Sequence, residues 1–303
     1  MLSRALLTSL WIARARRPCY TATMPRSITR TLVAALLATL AALSLVACGG
    51  GGGGGEDLAT GLTPRQLLDQ SAEAAAQLES FRISIDASGR IDLDQGAGIL
   101  NGPIAVSGEG PVQPPDRASI DAKIDLAALS PLVNLSRVAD EVFVGLLGQD
   151  FRLALPPEQV ALLDFAALYP TLTGWMKDPT EAGREDIDDT ATVKVTGAID
   201  ATAAFTDLQP LLQTSGVSAV PKAQLEAALK EGTVEAWIGT EDLRPRRIHI
   251  VMKADGTGVV AGVGAIEIDL TASLSAFDEP VDISAPRNPR DLDLDQLGSL
   301  TGG

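Results

Sequence analysis

The chain of 303 residues carries 24 Lys and Arg against 39 Asp and Glu, a net charge of -15, and only 4% aromatic residues. A polyphosphate partner needs clustered cations, so this balance argues against nucleic acid, and few rings are left for stacking sugars or bases. With two cysteines, Cys19 and Cys48, and one histidine, His249, the chain has neither a disulfide framework nor the ligand set of a thiolate zinc site, so no metal or other cofactor is expected.

Residues 1–47 hold six arginines and no acid, which leaves 18 basic and 39 acidic residues, net -21, for the remainder. From Met24, Arg26 and Arg30 precede Thr31 to Ala47, 17 residues without a charge. A transmembrane helix needs about 20 apolar residues, so the basic start, short apolar run and small-residue end read as a signal peptide over 24–47. Residues 1–23 then read as an overlong start. The signal closes on Leu45-Val46-Ala47-Cys48, which resembles the bacterial lipobox. That resemblance implies cleavage before Cys48 and acylation of its thiol by chains such as palmitate. Each buried methylene of such a chain contributes about 0.8 kcal/mol, enough for durable anchoring when two or three chains are attached. The expected location is the outer, exported face of the cell membrane. Seven glycines, Gly49 to Gly55, follow the cysteine. They cannot bury apolar surface, so residues 48–61 read as a lipidated, flexible tether spanning about 20 Å.

The body, 62–286, is expected to be one domain. Thr63, Pro64 and Gln66 spell a capping box, and Leu67, Leu68, Ala72, Ala75 and Leu78 recur at helical spacing. At Phe81-Arg82-Ile83-Ser84-Ile85 the period changes to two, the signature of a strand with one apolar face. The same alternation places Ile120 and Ile124 on one face of 117–126, Val193 and Val195 on one face of 191–199, and Val234 and Ile238 on one face of 233–238. It recurs with Ile248, Ile250 and Met252 in 247–253 and with Ile266, Ile268 and Leu270 in 265–274. Helices are expected over 156–176, broken near Pro170, over 221–232, and in a shorter piece within 202–213. One-sided strands in series, without a regular alternation with helices, predict an α+β domain with a curved antiparallel sheet and helices gathered on one face. Residues 287–303 are polar and read as a flexible tail.

Two segments, 174–200 and 232–286, carry a pattern that resembles the LppX/LprA/LprF/LprG lipoproteins. It comprises Trp175 beside a short helix, a strand with Val234, Trp237 and Ile238, a turn with Leu243, Pro245, Arg246 and Arg247, and a closing stretch with Phe277, Pro280, Val281, Ile283 and Pro286. The resemblance implies a half-barrel, similar also to the LolA/LolB carriers, with helices packed on its concave face and an apolar cavity between. That cavity would take the acyl chains of lipids or glycolipids for transport in the cell envelope. The aliphatic face itself is compatible with such a cavity, because dry apolar space accepts apolar ligands. Ile83, Ile85, Ile120, Ile124, Val234, Ile238, Ile248, Ile250, Ile266 and Ile268 are the candidate walls, and the same residues would serve a packed core.

No constellation of residues points to catalysis. His249 falls on the polar face of its strand and is expected to face solvent, without a nucleophile motif in the sequence. The DLDLDQLG stretch from Asp291 has Gln296 and Gly302 where a calcium loop needs Gly and Glu. The acids Glu185, Asp186, Asp188 and Asp189 read as a solvated turn. The glycine-rich 256–264 precedes a strand rather than a helix, so it forms no phosphate cradle. The expected function is therefore that of a non-enzymatic, monomeric lipoprotein, anchored in the membrane through Cys48, that binds and carries lipid. The alternative is an envelope scaffold or sensor with a filled core.

Overall fold

The computed structural model describes residues 56–93, 102–126, 130–157, 160, 163–214, 222–257 and 263–292. The start at Met24, the signal segment, Cys48 and Gln296 to Gly303 lie outside the described residues. Among the described residues twelve strands form a single sheet. They are β1 (Phe81–Leu93), β2 (Gly102–Gln113), β3 (Arg117–Leu126), β4 (Leu132–Val138), β5 (Glu141–Leu146), β6 (Gln149–Leu153), β7 (Met176–Ile187), β8 (Thr190–Ile199), β9 (Leu229–Gly239), β10 (Pro245–Asp255), β11 (Val263–Ser275) and β12 (Arg290–Leu292). The spatial order is β12-β6-β5-β4-β3-β2-β1-β11-β10-β9-β8-β7. Two meanders, β1 to β6 and β7 to β11, are thus sewn together by the antiparallel pairing of β1 with β11. The result is an open, curved antiparallel sheet in an α+β fold.

Curvature is written into glycines at close approaches. A Cβ on Gly110 would stand 1.9 Å from the Ser119 carbonyl oxygen, and one on Gly89 would stand 2.5 Å from that of Glu267. Any side chain there would push the neighbouring strand away, so these two positions let β1 and β2 bend. The β2–β3 ladder also skips Gly110 and Pro111, where proline has no N–H to give.

Among the described residues four helices can be delimited: α1 (Pro64–Ala76), α2 (Phe165–Gly174), α3 (Ala201–Thr214) and α4 (Lys222–Ala228). The capping box at α1 forms as expected, with the Gln66 amide donating to Thr63 Oγ1 at 3.3 Å and the Thr63 amide donating to Gln66 Oε1 at 3.0 Å. Leu67, Leu68 and Ala75 then bury against the sheet. Helices α1 and α2 pack on each other and on β7, β9 and β10, while α4 adjoins β9. No helix among the described residues is long and apolar enough to cross a membrane.

Three expectations are corrected here. Helix α2 does not break at Pro170 but runs through it; the start is set by Asp164, whose carboxylate accepts from the Ala166 and Ala167 amides. The helix expected to reach Gly232 ends at Ala228, because Leu229 to Gly232 pair with β10 and the Glu231–Lys253 ion pair at 3.0 Å joins the strands. Cross-strand pairing outweighs helix propensity there. The segment read as tail begins with β12, which pairs in parallel with β6 and covers its edge.

Candidate functional site

The register shows that the apolar face changes character along single cross-strand rows. In one row Val195, Ala236, Ile248 and Ala272 are buried, whereas their continuation Ile85, Gly108, Ala122 and Val133 is half-buried. The next row passes from buried Val234 and Ile250 to half-buried Leu270, Ala87, Val106 and Ile124. The change falls near the β11–β1 seam, beyond the strands that α1 and α2 touch.

Of the ten candidate wall residues, Ile83, Ile120, Val234, Ile238, Ile248 and Ile250 are buried in the main core. Ile85, Ile124, Ile266 and Ile268 are half-buried. Ile268 lines an open recess of about 160 Å³ together with Ala87, Gly89, Ile104 and Val106. This recess offers carbon to a ligand, suited to methylene chains rather than to polar chemistry. On the opposite face, Asp86, Glu109, Asp121, Lys123 and Asn134 line an open cleft of about 990 Å³.

His249 keeps to the polar face, but it does not simply face solvent. Its Nδ1 lies 3.2 Å from Glu235 Oε2 and its Nε2 3.0 Å from Asp269 Oδ1, with the ring about a quarter exposed. Lys194 Nζ reaches Glu235 Oε1 at 2.7 Å, so a polar ladder crosses four strands. Burial works against the charged form of Glu235, but Lys194 and His249 overcome it and hold the carboxyl below its ordinary range. The neighbours of His249 are carboxylates rather than a nucleophile, and the arrangement joins strands. Among the described residues no cluster of His, Cys, Asp or Glu could hold a metal ion.

The motif residues assemble a latch at the rim below the covered half. Phe277 lies between the Arg244 and Arg246 guanidinium groups, 5.4 and 4.6 Å from its ring centre. Arg246 pairs with Asp242 at 2.6 Å and Arg244 with Asp278 at 2.6 Å. The Glu79 amide donates to Asp278 at 2.9 Å; this bond, together with Arg244, holds the Asp278 carboxyl below the usual range despite some burial. Trp237 is flanked by Lys194 and Arg247 and donates to Glu185, and Trp175 donates to Asp207 at 2.8 Å. The acid run that includes Glu185 turns at Asp188 and Asp189, both with positive φ, as a hairpin turn requires.

The tether expected over 48–61 is docked at its end. Asp57 binds Arg184 at 2.5 Å, the Leu58 amide donates to the Thr240 carbonyl at 2.8 Å, and Ala59 is buried. The sequence alone did not reveal this, because a short acidic and glycine-bounded stretch gives no periodic signal.

No family model and no curated protein matches the chain. Among solved structures it is similar to LprF from Mycobacterium bovis, with 18% identity over 75% of this chain and 100% of that one, at a TM-score of 0.45. It is also similar to the lipoprotein LppX of Mycobacterium tuberculosis, with 18% identity over 72% of this chain and 98% of that one, at a TM-score of 0.42. A LolA superfamily protein from Nitrosomonas europaea matches with 12% identity over 72% of this chain and 96% of that one, at a TM-score of 0.28.

Proposed function

We propose that this chain is an exported lipoprotein, held at the outer face of the cell membrane by acylated Cys48, that takes the acyl chains of lipid on the apolar face of its sheet and carries them within the envelope. The observation that carries this reading is the change from buried to half-buried aliphatics in two neighbouring rows near the β11–β1 seam, although the adjoining row through Leu274 and Ile83 stays buried. A protein that used the whole face as core would cover all of it, since exposed apolar surface costs about 25 cal/mol per Å². The sequence resemblance to the LppX/LprA/LprF/LprG lipoproteins and the LVAC signal support the same conclusion.

Transfer on this reading is passive: an acyl chain exchanges bilayer carbon for protein carbon, and no bond is made or broken. Native mass spectrometry of the acylated protein, purified from bacterial membranes in mild detergent, tests it. Lipid adducts near one to one, lost when Ile124 or Ile268 is replaced by Asp, are expected. A bare mass after incubation with phospholipid micelles would overturn the proposal and leave the scaffold or sensor reading, which the six fully buried candidates favour.

A further inference from the structure

Within the open half a charged side chain interrupts the apolar pattern. Arg137 on β4 pairs with Ala118 of β3 and Val142 of β5, so it shares their face with Leu135 and Val133. Ala118 and Val142 are buried, 2% and 1% exposed. The Arg137 Nε donates to the Ala139 carbonyl at 3.1 Å, whereas its Nη1 is buried with no hydrogen-bond partner. No ion pair of Arg137 is found among the described residues; the nearby Glu141 is taken by Arg152 at 3.1 Å. Arg246 also buries unpartnered nitrogens, but its charge is met by Asp242 and the Phe277 ring. A guanidinium that is always charged and buries an unanswered donor among aliphatics is costly, and folding alone gives no reason for it.

We infer that Arg137 is an anion anchor for the ligand, which makes the preferred cargo an amphiphile with an oxyanion head on acyl chains. The inference rests on the lipid-carrying reading above. Along β4 the residues on this face, Arg137, Leu135 and Val133, succeed one another toward the far end of the strand, and Val144 and Leu146 of β5 stand opposite the last two. All four aliphatics are half-buried. A chain laid along that strip meets carbon, and its head meets the guanidinium beside the exposed turn at Ala139 and Asp140. Arginine suits this task because its planar fork binds a phosphate or a carboxylate through two parallel bonds.

The test uses the acylated full chain in detergent, stripped of lipid and offered equimolar pairs that differ in the anion: phosphatidic acid against diacylglycerol, and palmitate against hexadecanol. Native mass spectrometry counts the adducts. Wild type is expected to favour the anionic member of at least one pair by about tenfold, and which pair does so separates a phosphate head from a carboxylate. Arg137→Met should remove that preference while still loading the neutral lipids, and Arg137→Lys should keep part of it, which separates charge from packing. Equal loading of charged and neutral lipids by wild type, or an undiminished preference in Arg137→Met, would overturn the inference while leaving the carrier reading intact. Should no lipid of either charge load, the carrier reading fails and the anchor falls with it.

Discussion

The two halves of the sheet are built from the same residue types in the same alternation, yet they end in different states. On β8 to β10 the apolar residues are buried, with α1 and α2 packed on β7, β9 and β10; on β2 to β5 the counterparts in the two rows described stay half-buried, while Val112, Ala118, Ile120 and Val142 elsewhere on those strands are buried. Alternation specifies a face, and only a covering element turns that face into core. Helix α1 spans 13 residues and α2 10, about 20 and 15 Å, whereas twelve strands spaced about 4.8 Å apart extend more than twice as far. The described helices that adjoin the sheet do so at β7, β9 and β10, and the half-buried rows away from them are the surface to which the proposed function is assigned.

The sharpest way to break this comparison is to shorten one isoleucine in the covered half. Ile248 is 1% exposed at the centre of the core. Ile248→Ala should cost about 2–5 kcal/mol in urea unfolding, the range for a buried aliphatic whose cavity cannot collapse. A loss under about 1 kcal/mol would mean that space already exists beneath the helices, and the covered half would then resemble the open one.

How much of this was legible depended on the strand. Those at the centre of the covered half, β8 to β10, announce themselves by strict alternation because one face is dry and the other wet. β3 was legible for the same reason. The β2 strand stayed hidden because Pro103, Gly108, Gly110 and Pro111 are residues that strands disfavour, although here Gly110 and Pro111 sit at a gap in the ladder. The β7 strand shows no alternation of its own because it is an edge: from Lys177 to Asp186 it is rich in charged and polar residues and almost wholly exposed, with two register shifts, the devices that keep an open edge from pairing with another chain. The latch was visible as a motif, but its cation–ring geometry was not, since Arg244 and Phe277 lie far apart in sequence. Arg137 gave no signal at all, because a lone arginine in a short strand looks like surface until the register sets it beside Ala118 and Val142.

The latch supplies a second, smaller contrast, this time with pH. Asp278 is held ionised by the Glu79 amide and Arg244, so its folded carboxyl titrates below its unfolded value. The stabilisation is therefore complete above the ordinary carboxylate range and is lost as pH falls through it. Asp278→Asn should cost about 1 kcal/mol at neutral pH, a modest figure because both partners are about a third exposed, and should cost less as the medium becomes acid. Thermal melts at pH 7 and pH 3 check this. An unchanged gap between wild type and variant at the two values would mean that the charge is not what holds the rim.

The smallest effect belongs to the open half. Ile124 lies in the same kind of alternating strand as Ile248 but remains half-buried. Without lipid, Ile124→Ala should cost less than about 1 kcal/mol, since much of the transfer free energy was never gained and no closed cavity is left behind. With lipid bound the two isoleucines should draw together, because an acyl chain over β3 would complete the burial that the helices supply on β10, and a ligand that binds only the folded form raises stability by mass action. Urea unfolding of wild type and Ile124→Ala, each with and without phosphatidylglycerol, reads this directly. A lipid-dependent widening of the difference locates the ligand on the open half. An equal difference in both conditions would put the lipid elsewhere or nowhere, and the half-exposed aliphatics would then need another cover.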